Sequence, residues 1–394
     1  MKILIVDKMS EKCVKALKDM GAEVVVNTVK AEDLPKALGD TEVLIVRSTK
    51  VSAAAIEAAP ALSLIVRAGA GVNTIDVAAA SKRGIYVANC PGQNTDAVAE
   101  LAIGLLIAAD RRIVNATDDL RTGKWKKSEY GKARGLKGRT LGIVGLGSIG
   151  TAVAKRAQGL EMNVIAWSRS LTPQKAEELG LGYCAKLDEL AEKSDAVSVH
   201  VAAAKETSNL IGKDFLAKMK KGAILVNTSR GEVVDTAALK AAVAEKGLRV
   251  GLDVFAGEPA GGEAEFPDKE LAAAVIGTPH IGASTDQASE AIAAETVRVI
   301  ETYQKSGHPV NTVNIQDKTH AIINLVVRHY NRVGVLAGVL DELRNEGINI
   351  EEMENIIFEG GAAACCTLKL DQKPSDALVS KIGKAENVLK VLLK

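Results

Sequence analysis

The sequence predicts an α/β protein built from two doubly wound parallel-sheet units, the first discontinuous, followed by a small α+β module. Three observations carry that prediction. Short β-branched runs alternate with helix-period stretches through most of the chain, the pattern of a parallel sheet covered on both faces. A glycine-rich turn, Gly145 to Gly150, opens a second such series in mid-chain. Beyond about residue 318 the rhythm changes to β-α-β-β-α-β, the order of a ferredoxin-like module.

In the first series, residues 3–6, 24–26, 43–46, 64–66 and 85–87 read as strands, with helical patterns such as 11–19 and 75–82 between them. Residues 96–121 then read as one long helix without proline, with a broad Leu/Ile/Ala face suited to crossing between domains or packing at an interface. Segment 123–137 is a basic, glycine-punctuated loop. The second series places strands at 141–145, 164–167, 196–201, 223–227 and 250–254. A helix over 285–304 is expected to return the chain to the first unit. Residues 1–94 and 283–314 then make one discontinuous domain, 95–282 an inserted domain, and 318–394 the terminal module.

At 394 residues and 47% hydrophobic composition, the chain can bury several cores without staples. A net charge of +1, from 50 basic and 49 acidic residues, provides no field favouring nucleic acid or an anionic membrane. No apolar run approaches the ~20 residues a bilayer requires, and the chain opens on a strand rather than a leader. The expected partner is a small molecule and the expected compartment the cytoplasm. Cysteines 13, 90, 184, 365 and 366 include no C-x-x-C pair, and their odd number reads as reduced thiols. No metal site is expected.

Gly145-Leu146-Gly147-Ser148-Ile149-Gly150 follows a strand and opens a helix, the context that gives G-x-G-x-x-G its meaning as a Rossmann-type dinucleotide fingerprint. The first glycine permits the tight turn, the second lets backbone approach a pyrophosphate, and the third lets helix and strand pack closely. At the end of the next strand, where a carboxylate would grip the ribose 2′-hydroxyl, the sequence has Ser168-Arg169. A hydroxyl and a guanidinium suit a 2′-phosphate, so the cofactor is NAD or NADP with a leaning to NADP.

Three further motifs end strands of the second series: Asn227-Thr228-Ser229-Arg230-Gly231, Asp253 leading to Glu258-Pro259, and Thr278-Pro279-His280-Ile281-Gly282. Ligands of open α/β sheets bind outside the carboxyl ends of strands, so the three can converge on one cleft. Oxidation of a 2-hydroxy acid needs a base, which His280 can supply, and an orienting carboxylate, which Glu258 can supply. It also needs a cation for the carboxylate and the developing C2 oxygen, and Arg230 fits that role.

Together these motifs resemble the D-isomer-specific 2-hydroxyacid dehydrogenase family over nearly the whole chain. The resemblance implies Arg230, Glu258 and His280 as the catalytic set, on a small 2-hydroxy or 2-oxo acid. It implies cofactor contacts at Ser148, Ile149, Thr228, Ser229 and Asp253, with Arg230, His280, Gly282 and Ala283 at the nicotinamide end. Arg67-Ala68-Gly69-Ala70-Gly71-Val72 resembles the family loop whose backbone amides hold the substrate carboxylate, placing Gly69, Ala70 and Gly71 there. Arg47, Ser48 and Lys50 fall on a loop that, in members acting on phosphorylated substrates, contacts the phosphate. Asn94 matches the hinge at the start of the long helix. Small unphosphorylated oxo acids are an alternative substrate class, and a dinucleotide-binding corepressor or sensor a remote one.

The terminal module, with His329-Tyr330-Asn331 and Gly347-Ile348-Asn349, resembles an ACT regulatory domain. In serine-inhibited members, a His and two Asn at matching places bind L-serine between paired domains, which implies His329, Asn331 and Asn349 as an effector site. The same resemblance implies a homodimer or homotetramer.

Overall fold

The computed structural model describes residues 1–259, 263–316 and 319–394. The chain divides into two compact units, Met1–Asn314 and Ile315–Lys394. The expected start of the terminal module at residue 318 lies outside the described residues.

The first unit holds two parallel sheets. Strands β1 (Lys2–Ile5), β2 (Glu23–Val26), β3 (Val43–Val46), β4 (Leu64–Arg67) and β5 (Tyr86–Asn89) line up in the order β2-β1-β3-β4-β5. All four residues of β3 are buried, because a central parallel strand is covered on both faces. The chain leaves β1 toward β2 on one side and later fills β3 on the other, so the winding reverses between β1 and β3. Such a reversal opens a crevice at the strands' carboxyl ends.

Helix Asp286–Ser306 is capped by the Thr285 hydroxyl, which accepts from the Ala288 N–H, and ends on left-handed Gly307. It buries Ile292, Ala293, Val299 and Ile300 in a cluster with Ile3, Ile5, Val66 and Ala88. Burying each large aliphatic side chain contributes about 1.5–3 kcal/mol. The chain then bonds to the first sheet again, with Val313 N–H donating to Val87 O at 2.8 Å.

The second sheet comprises β6 (Thr140–Val144), β7 (Asn163–Trp167), β8 (Gly182–Tyr183), β9 (Ala196–Val199), β10 (Ile224–Asn227), β11 (Arg249–Leu252) and β12 (Ile276–Gly277). Its order is β12-β11-β10-β9-β6-β7-β8, the Rossmann arrangement extended by one strand. β9 and β10 are buried throughout, with apolar clusters on both faces of the sheet. The two-residue strands β8 and β12 are too short to leave a periodic signal in the sequence.

One expected element is corrected. Residues 96–121 are two helices, Thr95–Arg111 and Ile113–Arg121, separated by Arg112 at φ 52° and ψ 44°. The Arg249 guanidinium donates to the Ala109 and Asp110 carbonyls, which a continuous helix would have used for its own ladder. The buried Asp110 carboxylate is also drawn aside, to Arg139 at 2.7 Å. These partners lie 29 to 140 residues away in sequence, beyond the reach of a local pattern.

The second unit is an antiparallel sheet of β13 (Ile323–Tyr330), β14 (Ile350–Ile357), β15 (Ala363–Leu370) and β16 (Val388–Leu393), ordered β14-β15-β13-β16. Along β15 burial alternates residue by residue, so Cys366 is buried and Cys365 partly exposed. Val339 and Leu343 of helix Val335–Asn345, and Leu378 and Ile382 of helix Asp376–Gly383, join β13 and β15 in its core. Among the described residues, no helix is long and apolar enough to cross a membrane.

Candidate active site

The glycine turn between β6 and helix Ser148–Gly159 shows why each glycine stands where it does. Gly145 has φ +93°, and a Cβ there would lie 2.7 Å from the His200 carbonyl oxygen. A Cβ on Gly150 would overlap the Gly145 carbonyl. A Cβ on Gly147 meets nothing within 4 Å: this position faces open space, where backbone can approach a ligand. Ser148 is exposed and Ile149 half-buried at the helix start, whose first N–H groups have no side-chain cap.

Ser168 is half-buried and Arg169 exposed just beyond β7, and neither side chain has a partner among the described residues. Thr228 is buried, and its hydroxyl oxygen is without a hydrogen-bond partner among the described residues. An orphaned hydroxyl, an open Gly147 and uncapped helix amides are the features a dinucleotide would satisfy. The residues present therefore fit that group.

Arg230 follows β10 through a turn closed by buried Asn227. The Asn227 Oδ1 accepts from the Ser229 N–H and hydroxyl at 2.9 and 2.7 Å, and its Nδ2 donates to Arg230 O. The Ser229 hydroxyl, expected on the cofactor, is thus donated to the turn. A Cβ on Gly231 would collide with the Phe255 backbone, so the turn needs glycine there.

Arg230 reaches the first sheet's loop, where a Cβ on Gly71 would sit 2.5 Å from its Nη2. That loop is pinned by Asn89 Nδ2 donating to Ala70 O and by Cys90 N–H donating to Gly69 O. The Gly69 N–H donates to Arg67 O at 2.8 Å, which corrects the expectation that it faces substrate. The amides of Ala70 and Gly71 have no acceptor among the described residues.

Glu258 and His280 form a direct pair, Oε1 against Nδ1, while Glu258 Oε2 accepts the Phe255 N–H at 3.0 Å. Burial pushes the Glu258 carboxyl upward. The bonds from His280 and Phe255, with the charge of Arg230, more than offset this and hold it below the usual carboxylate range. The ring of His280 is 45% exposed, so its far nitrogen can reach a substrate.

His280 itself sits at φ 53°, a left-handed conformation uncommon outside glycine. Asp253, only 1% exposed, holds it there. Its carbonyl accepts the His280 N–H, and its carboxylate accepts the Thr278 hydroxyl and the N–H groups of Ile281 and Gly282. Asp253 and Gly282 were expected on the cofactor. The structure turns both inward, since the buried carboxylate needs those donors. Ala283, beside them, is half-buried.

In the first sheet, Arg47, Ser48 and Lys50 follow β3, with Lys50 exposed. Asn94 is half-buried at the helix start, and its carbonyl accepts the Val98 N–H. Two residues beyond the expected set join this region. The Arg67 guanidinium is largely buried, and its Nε is without a partner among the described residues. Burial, then the charges of Arg230 and Arg47, hold its pKa below the ordinary value. Asp7, two residues beyond β1, accepts hydrogen bonds from the Arg47–Thr49 loop. A lone Asp after a strand gives no local signal of partners forty residues away.

In the second unit, His329 is 2% exposed, with Nδ1 on Tyr330 O at 2.8 Å and Nε2 on Asn355 Oδ1 at 3.4 Å. Asn331 donates to Gly361 O and Asn349 to Glu351. Within one chain the three do not meet. The register aligns His329 with Ala364 and Ile357, whereas Asn349 precedes Ile350 at the Leu370 end of the sheet. At ~3.3 Å per residue the two ends are roughly 20 Å apart.

Residues 103–282 match the family described as D-isomer specific 2-hydroxyacid dehydrogenase, NAD binding domain. Over 321 residues, 80% of this chain, the sequence is 40% identical to a D-3-phosphoglycerate dehydrogenase of Methanocaldococcus jannaschii. The match spans only 60% of that relative's length. A glyoxylate reductase of Thermococcus litoralis is 46% identical over 272 residues, 67% of this chain and 81% of the relative. Among solved structures, NAD+-bound 3-phosphoglycerate dehydrogenase of Entamoeba histolytica aligns with a TM-score of 0.67 and 30% identity, over 80% of this chain and 99% of that one.

Proposed function

The chain belongs to the D-isomer specific 2-hydroxyacid dehydrogenase family, and from that premise we propose that it interconverts 3-phosphoglycerate and 3-phosphohydroxypyruvate, the entry step of L-serine biosynthesis. The observation that carries the reading is that Arg67 and Arg230 flank the Gly69–Gly71 loop, with Arg47 within charge reach of Arg67 and Arg230 within charge reach of the paired Glu258. One cation serves the substrate carboxylate, and two more suit a second anionic group.

A nicotinamide bound along the glycine turn would exchange hydride with substrate C2. His280, paired to Glu258 through Nδ1, takes the C2 hydroxyl proton on its other nitrogen during oxidation and returns it during reduction. Glu258 orients the ring by pairing with Nδ1. Arg230 and the free amides of Ala70 and Gly71 hold the carboxylate, and Arg230 polarises the C2 oxygen. Ser148, Ile149, Thr228 and Ala283 line the cofactor. Residues 1–94 with 283–314 form the substrate domain and 95–282 the cofactor domain. Asn94 lies at their hinge, and closure excludes water before reaction.

Ser168 and Arg169 favour a 2′-phosphate, hence NADP over NAD. The same pair favours a second reading, a glyoxylate or hydroxypyruvate reductase. Lys50, exposed beside Ser48, adds a cation for a phosphate and argues for the first. Residues 318–394 serve as a regulatory domain. His329 and Asn331 of one copy and Asn349 of another would hold L-serine, since one chain separates them, and this requires a homodimer or homotetramer.

Initial rates with 3-phosphohydroxypyruvate and with glyoxylate, each with NADH and NADPH, test the proposal. It predicts a kcat/KM at least about 10²-fold higher for the phosphorylated acid. Equal or reversed preference contradicts it and moves the protein to the reductase reading.

A further inference from the structure

The first sheet reverses its winding between β1 and β3, and Asp7 bridges that reversal. Its Oδ2 accepts the consecutive backbone N–H groups of Arg47, Ser48 and Thr49 at 2.6, 3.0 and 3.0 Å. Its Oδ1 accepts the Thr49 hydroxyl at 3.0 Å. Three successive amides converging on one anion form a nest of the kind that elsewhere cradles a ligand phosphate. Here the protein's own carboxylate fills it. These three amides are therefore spoken for, and a second substrate anion arriving beside them meets the loop's side chains instead.

Those side chains stand close by. Arg47 leaves the same loop, and Arg67 ends the neighbouring strand β4. Arg67 is largely buried within the charge reach of Arg47, Arg230 and Asp7. Arg67 has two other guanidiniums within charge reach, Asp7 is already bonded to four donors, and Glu258, within reach of Arg230, is paired to His280. A second negative group on the substrate would supply the missing charge.

We propose that Asp7 is a positioning residue for recognition of the substrate's second anionic group: by holding the 47–49 amides, it sets Arg47 and Ser48 against Arg67 at the β1–β3 crevice. This rests on the phosphorylated-substrate reading above. It also carries a counter-intuitive sign. If Asp7 acted merely as a nearby negative charge, removing it would tighten phosphate binding; because it shapes the loop, removing it weakens binding.

The full-length protein with Asp7→Ala and Asp7→Asn tests this against 3-phosphohydroxypyruvate and hydroxypyruvate at saturating reduced cofactor. Asp7→Ala should raise KM for the phosphorylated acid about tenfold or more while kcat stays within about twofold, and KM for hydroxypyruvate should stay within about twofold. Asp7→Asn keeps a carbonyl oxygen for the amides and should restore KM to within about threefold of wild type. Should Asp7→Ala fail to fold, Thr49→Val removes one of the four bonds and should raise the same KM about two- to threefold. An equal rise for both substrates, or a lower KM for the phosphorylated one, overturns the assignment. Wild-type protein that binds the two acids equally overturns the phosphorylated-substrate reading itself, and the assignment with it, before any variant is compared.

Discussion

The Asp253 carbonyl accepts the His280 N–H at 2.8 Å, and the Asp253 carboxylate accepts the next two amides at 2.8 Å each. One buried aspartate thus ties the histidine to the end of β11 and holds its backbone in the left-handed region. Asp253 N–H in turn donates to Asn227 O, the residue that closes the Arg230 turn. The arginine and the histidine therefore share one scaffold.

Asp253→Asn should break that scaffold while preserving shape. The amide places a donor against one of two N–H groups, so stability should fall by about 1.5–3 kcal/mol. Misplacement of His280 should lower kcat by roughly 10²-fold with a smaller effect on KM. Urea denaturation and steady-state rates check the two effects separately.

Gly147 and Gly150 should fail differently. Gly150→Ala places a methyl group into the Gly145 carbonyl and should reduce stability by about 1–3 kcal/mol. Gly147→Ala meets only open space, so its melting temperature should be close to wild type. The methyl group would instead stand where the pyrophosphate approaches, raising the cofactor Kd about tenfold or more. Calorimetric melting with fluorescence titration of NADH and NADPH distinguishes them.

His200 sets an acid limit on stability. Burial pushes its imidazole down to about 3, against an ordinary value of 6.5. The unfolded chain therefore binds this proton first. The stability His200 allows is fully present above pH 6.5 and declines as pH falls from 6.5 toward 3. The slope is about 1.4 kcal/mol per pH unit, or about 2 kcal/mol between pH 6.5 and 5. His200→Gln should remove that part of the slope, as urea unfolding at both pH values would show.

The sequence made the fold legible where burial is continuous. β3 is apolar end to end, and β9 and β10 are apolar but for Ser198 and Asn227, because both faces are covered; Arg230, Glu258 and His280 stand out because they follow strand ends. What escaped it depends on distant partners. The break at Arg112 needs Arg249, and the nest at Asp7 needs Arg47 to Thr49. The inward roles of Asp253 and Gly282 need the His280 loop to fold over them. The distance between His329 and Asn349 follows from antiparallel register, which spacing along the chain does not reveal.

That distance yields a regulatory prediction. Under the proposed regulatory reading, L-serine should lower turnover only in an assembled oligomer, and His329→Ala or Asn349→Ala should relieve the inhibition equally, because each would supply part of one shared site. Rates with and without serine, alongside sedimentation, check this. Unchanged activity at saturating serine, with no heat of binding, would contradict it.

The most direct test of the central claim is the fate of one atom. 3-Phosphohydroxypyruvate is reduced with cofactor deuterated at the transferring C4 position, and the product is resolved by chirality and mass. The account predicts deuterium at C2 of the D-isomer, with the yield lost in His280→Asn by about 10²-fold or more. An L-isomer, or product without deuterium at C2, would contradict it.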